Sequence, residues 1–388
     1  MVSSPSAVAS RRSLTITPAS VIVVCVAALV SIGLVVLFSA SSPIKGGGPY
    51  AYLFKQFIFL ALALGGGWAV AVADLEQLRK FAWVSAGIAI VALILVLVPG
   101  VGLKVNGGRR WLGLGGVRLQ ISEFAKIALV FSLAHYLAVN QSRLHDFWRG
   151  FVIPSAWIGV FVLVVLVEPD FGAAFLLGTI GVILLFLAGA RLKFLLPSIG
   201  VAVFGFVILV MNNPVRMARV MSFLDPEANR QGTGYQPWQA LLAFAAGGVT
   251  GVGLGNGRQQ NAFLPEAHTD YIFAIMGEEM GLIFTLLTVG LFVTIFVAGL
   301  MHVRRAPNLF QYLLVTGCVL LISLQAIINL GVVTSLLPSK GMSLPFISAG
   351  GSNLLLMGLL VGIIINSQRS WDRPKPLVRK RSLTEVVA

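Results

Sequence analysis

Long apolar runs separated by short polar breaks dominate the chain. Val21 to Phe38, Ile58 to Val72 and Ala82 to Val98 are nearly uninterrupted, and each approaches the ~20 residues a helix needs to cross a hydrocarbon core of ~30 Å. Lipid offers no hydrogen-bond partner to the backbone, so such runs are expected as helices, which satisfy their own polar groups. The pattern predicts about ten spans, over residues 19–39, 52–73, 81–98, 122–139, 151–167, 171–188, 192–211, 271–300, 310–335 and 353–366. The expected fold is an all-α polytopic membrane protein, with a large extracytoplasmic loop, residues 212–270, between helices 7 and 8. Arg11 and Arg12 precede the first run, which ends in Ser39, Ala40 and Ser41 like a secretory signal. Its apolar core is longer than the ~7–15 residues of a signal peptide, so it is read as the first span. No internal repeat is visible.

Composition supports this reading: 57% of the 388 residues are hydrophobic and 11% charged, against about a quarter charged in soluble domains. The net charge of +14 does not point to nucleic acid, because the basic residues sit in short loops between apolar spans. Arg11 and Arg12, Arg79 and Lys80, Arg143 and Arg149, Arg191 and Lys193, Arg304 and Arg305, and the C-terminal cluster fall in alternate loops. The positive-inside rule assigns these to the cytoplasm. Residues 1–18 are then a cytoplasmic tail, 19–368 the transmembrane domain and 369–388 a basic tail near anionic head groups. The opposite face carries residues 100–121, 212–270 and 336–350, with Lys104, Arg109, Arg110, Arg216, Arg219, Arg230 and Lys340. Arginines retained there suit an anion. No P-loop occurs, so ATP is not the expected energy source. Cys25 and Cys318 read as packing residues, and His135, His145, His268 and His302 are too dispersed to predict a metal site.

Acidic residues near spans are scarce and therefore informative. Glu123 and Lys126 are three apart on one helix face, either a buried pair that fixes packing or part of a site. Glu168-Pro-Asp170 breaks the chain between two spans; Asp170 either faces a cavity or caps the next helix. Leu264-Pro-Glu-Ala-His-Thr-Asp270 places two carboxylates, an imidazole and a hydroxyl before an apolar helix. Asp270 or Thr269 could be no more than an N-cap. Gly247, Gly248, Gly251, Gly253, Gly255 and Gly257 lack dinucleotide-site spacing and suggest a close-packed or re-entrant loop. Gly358 and Gly362 suggest close helix packing.

These strings resemble the FtsW/RodA/SpoVE family, with the FtsW branch nearest. The likeness extends over nearly the whole chain: Ser39-Ala-Ser-Ser, Arg110-Trp-Leu-Gly-Leu-Gly, Ser122-Glu-Phe-Ala-Lys126, Glu168-Pro-Asp-Phe-Gly172, Phe223-Leu-Asp-Pro226, Gly234-Tyr-Gln236, Leu264 to Phe273, Gly277-Glu-Glu279, Pro338-Ser-Lys-Gly341, Leu344-Pro-Phe346 and Gly350-Gly-Ser352. The resemblance implies a glycosyltransferase that polymerises lipid II outside the cytoplasmic membrane, at the division septum, beside a class B penicillin-binding transpeptidase and other divisome proteins. It implies that Asp270 is the catalytic base. Departing pyrophosphate needs positive charge from Arg110, Lys126, Arg216, Arg219, Lys340 or a divalent cation, Mg or Mn. Glu123, His268, Thr269 and Ser352 complete the expected substrate contacts. Ile121, Gln260, Ala349 and Asn353 stand where the family commonly has proline, lysine, tyrosine and serine. A lipid II flippase using Glu123, Lys126 and Asp170, a scaffold, and an elongation or sporulation enzyme are the alternatives.

Overall fold

The computed structural model describes residues 17–42, 48–105, 108–114, 117–261 and 263–372. The basic tail beyond residue 372 and the N-terminal arginines lie outside them. Among the described residues, nine helices are long and apolar enough to cross a membrane, and a tenth apolar helix, Ala82–Leu97, has 16 residues. In chain order the helices are α1 (Pro18–Ala40), α2 (Gly48–Val72), the short α3 (Leu75–Arg79), α4 (Ala82–Leu97), α5 (Ile121–Val139), α6 (Ile153–Val167), α7 (Phe171–Ala188) and α8 (Leu192–Met211). They continue with α9 (Pro214–Leu224), α10 (Tyr235–Gly247), α11 (Ile272–Val303), α12 (Leu309–Val333) and α13 (Gly351–Trp371).

The helix ends follow local chemistry. Thr17 and Ser20 form a reciprocal capping box on α1, Asn308 caps α12, and Asn213 caps α9. Gly189, in the left-handed region, ends α7. Helices α5, α12 and α13 form the buried centre, whereas α8 presents apolar side chains outward along almost its whole length. That inversion is expected where lipid, not water, is the solvent. Helix α13 packs on α2, and the glycine spacing explains how: a Cβ on Gly362 would lie 2.4 Å from the Gly67 carbonyl oxygen, and one on Gly67 2.6 Å from that of Gly358. The backbones approach as the small residues allow.

Two features depart from a simple bundle. Residues between α4 and α5 form an antiparallel sheet of β1 (Gly102–Val105), β2 (Gly108–Leu114) and β3 (Val117–Gln120), in that order. The all-α expectation had no place for it. Trp111 faces Gln120 and Leu112 faces Leu119, so the sheet carries Arg110 and Gln120 to the mouth of the bundle.

The second feature is a break in α11 at Gly281, with φ 73° and ψ −169°. The expected close-packed glycine loop repairs it. Val252 and Gly253 donate to the carbonyls of Glu278 and Glu279 at 3.0 Å each, while Leu282 and Ile283 donate to Gly248 and Val249. The buried carboxylates of Glu278 and Glu279 hold the same loop, accepting from Arg258 N at 2.8 Å and Gly255 N at 2.9 Å. Ser39 Oγ of α1 also donates to Glu279, at 2.7 Å. A backbone interruption at membrane depth is tolerated because protein covers it.

Candidate active site

The chain turns tightly before α11. Glu266 adopts φ 56°, its carbonyl accepts from the Thr269 and Tyr271 amides, and Thr269 Oγ1 donates to Glu266 Oε2 at 2.8 Å. Helix α11 begins after Tyr271 with no side-chain cap, so the Asp270 carboxylate is not spent on the helix terminus. The capping alternative therefore fails for Asp270.

Its backbone is held from two sides. Asn329 Nδ2 of α12 donates to the Asp270 carbonyl at 2.8 Å and to Met342 O at 2.6 Å. Ser348 Oγ donates to Thr269 O at 2.5 Å, and Ala349 N to His268 O at 3.0 Å. The loop between α12 and α13 thus clasps the His268–Asp270 turn. Gly341 lies so close that a Cβ there would sit 2.6 Å from Asp270 Oδ2.

Across this carboxylate lies the start of α7. Asp170 caps that helix through Ala173 N at 3.1 Å, and its other oxygen accepts from Gln120 Nε2 at 3.0 Å and Ser122 Oγ at 3.2 Å. Arg110 Nη1 is 3.8 Å from the same oxygen. The capping reading of Asp170 therefore holds, and the same carboxylate also lies beside an arginine. Lys340 approaches from the clasping loop, its Cε 3.1 Å from where a Gly172 Cβ would be and the Asp170 carboxylate 3.4 Å from that point. Arg216 of α9 stacks its guanidinium 3.8 Å over Phe171.

Burial and charge perturb these groups strongly. The Asp270 carboxyl is pushed up to about 7, first by burial and then by Glu266, with Arg110 opposing and Asp170 adding. Burial lowers the Lys340 ammonium to about 8, with Asp170 opposing and Arg219 adding. Burial raises the Tyr271 hydroxyl and lowers the His268 imidazole. Glu168 is fully buried and neither carboxylate oxygen has a hydrogen-bond partner among the described residues. Burial and then Asp170 hold it up at about 8, against Arg110. A base near 7 beside cations is the arrangement expected of acid–base chemistry.

The remaining expected residues divide into two groups. Arg219 acts electrostatically on both Tyr271 and Lys340, Ser352 Oγ accepts from Gln120 N at 2.8 Å, and His268 packs edge-on to Tyr52 at 5.0 Å. These border the cup. Lys126 lies deeper, 1% exposed, with Nζ donating to Glu123 Oε1 at 2.6 Å and Gln325 Oε1 at 3.0 Å. Gln325 in turn donates to Asn353 Oδ1 and Ser343 O, so the pair supports the clasping loop from below. Sequence reasoning gave no role to Gln120, Asn329, Gly341 or Ser348. The Pro338–Gly341 and Leu344–Phe346 strings signalled this loop, though not its contacts. Among the described residues no three His, Cys, Asp or Glu side chains gather to bind a metal.

The chain matches the profile of the cell cycle protein family FTSW_RODA_SPOVE over residues 19–372. It belongs to the FtsW/RodA/SpoVE family. A protein of Alcanivorax borkumensis named probable peptidoglycan glycosyltransferase FtsW is 43% identical over 357 residues, 88% of this chain and 91% of that one. A Coxiella burnetii protein of the same name is 40% identical, with 89% and 94% covered. Among solved structures, a chain from a peptidoglycan synthase complex that coordinates polymerization and crosslinking superposes with TM-score 0.74 at 25% identity, covering 91% of this chain and 98% of that one. The rod shape determining protein RodA of Thermus thermophilus superposes with TM-score 0.68 at 25% identity, covering 91% and 97%. Within the FtsW/RodA/SpoVE fold, Asp270 stands against the clasping loop, within electrostatic reach of Arg110 of the sheet and Asp170 at the start of α7.

Proposed function

We propose that this protein is a peptidoglycan glycosyltransferase that polymerises lipid II on the outer side of the cytoplasmic membrane, with Asp270 as general base. The observation that carries the assignment is an uncapped carboxyl, held near 7 and acted on by Arg110, with Lys340 of the clasping loop close to the neighbouring Asp170. The donor sugar already bears a polyprenyl pyrophosphate, a good leaving group. The second carboxyl by which glycosidases protonate a poor one has no task here. Asp270 takes the proton of an acceptor sugar hydroxyl as its oxygen bonds to the donor anomeric carbon. The anomeric bond to phosphate breaks on the opposite side, inverting configuration, and the pyrophosphate leaves with the electron pair. Arg110, Lys340, Arg216 and Arg219 stabilise the charge it gains.

The basic loops at the other end of the bundle favour the cytoplasm for that end by the positive-inside rule, which supports a reading with Asp270 on the outer side. A class B penicillin-binding transpeptidase is the expected partner, and the septum the expected site of action. The carrier alternative is disfavoured because Glu123, Lys126 and Asp170 are committed to Gln325, Gln120, Ser122 and the α7 terminus. Glycan-strand synthesis from purified lipid II, with the transpeptidase present, tests the assignment. Polymer from the intact protein and a loss of ~10²–10⁴-fold in folded Asp270→Asn is expected; equal polymer from both would refute the base.

A further inference from the structure

Far from Asp270, an apolar cavity of about 330 Å³ opens among Trp83, Tyr136, Trp148, Ile153, Trp157 and Val160. It reaches the size of small-molecule pockets, ~300–1,000 Å³. Helix α5 fixes its location. Ser122 bonds Asp170 at one end of α5, and Tyr136 lies about 20 Å along the axis at ~1.5 Å per residue. The cavity is therefore at the end of the bundle opposite the Asp270 cup.

A local irregularity shapes it. Residues Trp148–Val152 form a π-turn ahead of α6, and Pro154 occupies the first turn of that helix without an amide hydrogen. This wider turn lies at the edge of the cavity, which Trp148 and Val152 help to line, and such turns recur at functional sites. Tyr136 OH donates to the Arg149 carbonyl at 2.9 Å and Trp157 Nε1 to Ser132 Oγ at 3.0 Å. The polar ends of these rings are thus consumed inside the protein. Trp83 stacks edge-on against Trp157 at 5.2 Å and Tyr136 at 6.3 Å. The interior offers ring faces and aliphatic carbon only, a lining for a hydrocarbon chain.

The rim has different chemistry. Trp83 and Trp148 are 45% and 67% exposed, and their indole N–H groups donate to nothing among the described residues. Arg79, Lys80, Arg143 and Arg149 lie on the same end, and Phe194 packs on Phe147 at 4.8 Å, bringing the Arg191–Lys193 turn alongside. Against these six cations stand Asp74, Glu76 and Asp146, with Glu76 already paired to Arg79. The rim is net positive and supplied with unspent donors.

We propose that this groove is a specific site for one anionic phospholipid of the leaflet opposite the Asp270 cup. An acyl chain lies along Trp157, Ile153 and Val160, and the phosphate meets Arg149 and the indoles of Trp83 and Trp148. Basic side chains next to the membrane favour anionic lipid, and interfacial tryptophans sit at headgroup level. Concavity separates this site from the convex, lipid-facing surface around it.

The test reconstitutes the intact protein in nanodiscs with equal phosphatidylglycerol and phosphatidylcholine and reads retained lipid by native mass spectrometry. One phosphatidylglycerol held several-fold over phosphatidylcholine is expected. Ala156→Trp, at an exposed position of the groove lining, should abolish retention without altering polymerisation, and Arg149→Gln should erase the headgroup preference while leaving some lipid bound. Equal retention of both lipids by the intact protein, or undiminished retention by Ala156→Trp and Val160→Trp alike, would overturn the proposal. A photoreactive phenylalanine analogue at position 156, irradiated in native membranes, should yield a phospholipid adduct; a polypeptide adduct there would overturn it too.

Discussion

At Asp270, burial opposes the same charge that proton transfer requires, and the balance falls near neutrality. Ionisation of Asp270 gives a rate that rises as pH passes about 7, and loss of the Lys340 proton makes it fall past about 8. A narrow optimum between these values is expected in polymerisation assays. Lys340→Arg should extend the alkaline limb, because guanidinium keeps its proton. Stability follows the same sign. The folded carboxyl binds its proton more tightly than the unfolded one, so native stability falls from about pH 4 to about 7 and then levels. Asp270→Asn lacks that loss, and its thermal midpoint should exceed the parent's by an amount that grows over this window. Gly341→Ala adds a methyl that must displace the carboxylate; it should cut turnover at least tenfold with the fold intact, checked by circular dichroism beside the polymerisation assay. The Leu264–Asp270 string was legible in the sequence as chemistry. The partners Asn329 and Ser348 were not, because each reaches Asp270 or Thr269 across some sixty or more residues.

At the scale of elements, apolar runs set the helices, and the expected spans match the observed helices within a few residues. The sheet escaped because three short strands carry only a weak alternation, although Asn106-Gly107 is a recognised hairpin pair. The break in α11 was hidden for another reason. Gly281 is one of four glycines in α11, with Gly277, Gly290 and Gly299, and its partner loop lies some thirty residues earlier. A Cβ on Gly281 would meet Gly251 N at 2.4 Å and Val249 O at 2.5 Å, in a left-handed conformation. Gly281→Ala should lower the thermal midpoint in detergent by several degrees and release the loop to protease. An unchanged midpoint would show that the loop is not pinned there.

Over the whole molecule, the order from outward-facing α8 to buried α5, α12 and α13 separates a packed centre from an apolar rim. Sequence gave the spans, and the distribution of arginine and lysine suggested their orientation, but which helices occupy the centre depends on packing. Glycines at 358 and 362 hinted at one contact only, and their partner Gly67 emerges from the structure alone. The joint at Gly281 also has a mechanical consequence. A bilayer thicker or thinner than the apolar length of a span imposes tilt, and here the glycine loop clamps the break from both sides, through Glu278 and Glu279 on the short arm Ile272–Met280 and through the Leu282 and Ile283 amides on the long arm Leu282–Val303. Such a clamp would hold the Asp270 turn in place while the far end of α11 tilts. Turnover in vesicles spanning ~27 to ~33 Å of hydrocarbon should therefore stay nearly flat, as in a gimbal that keeps its instrument level while the frame moves.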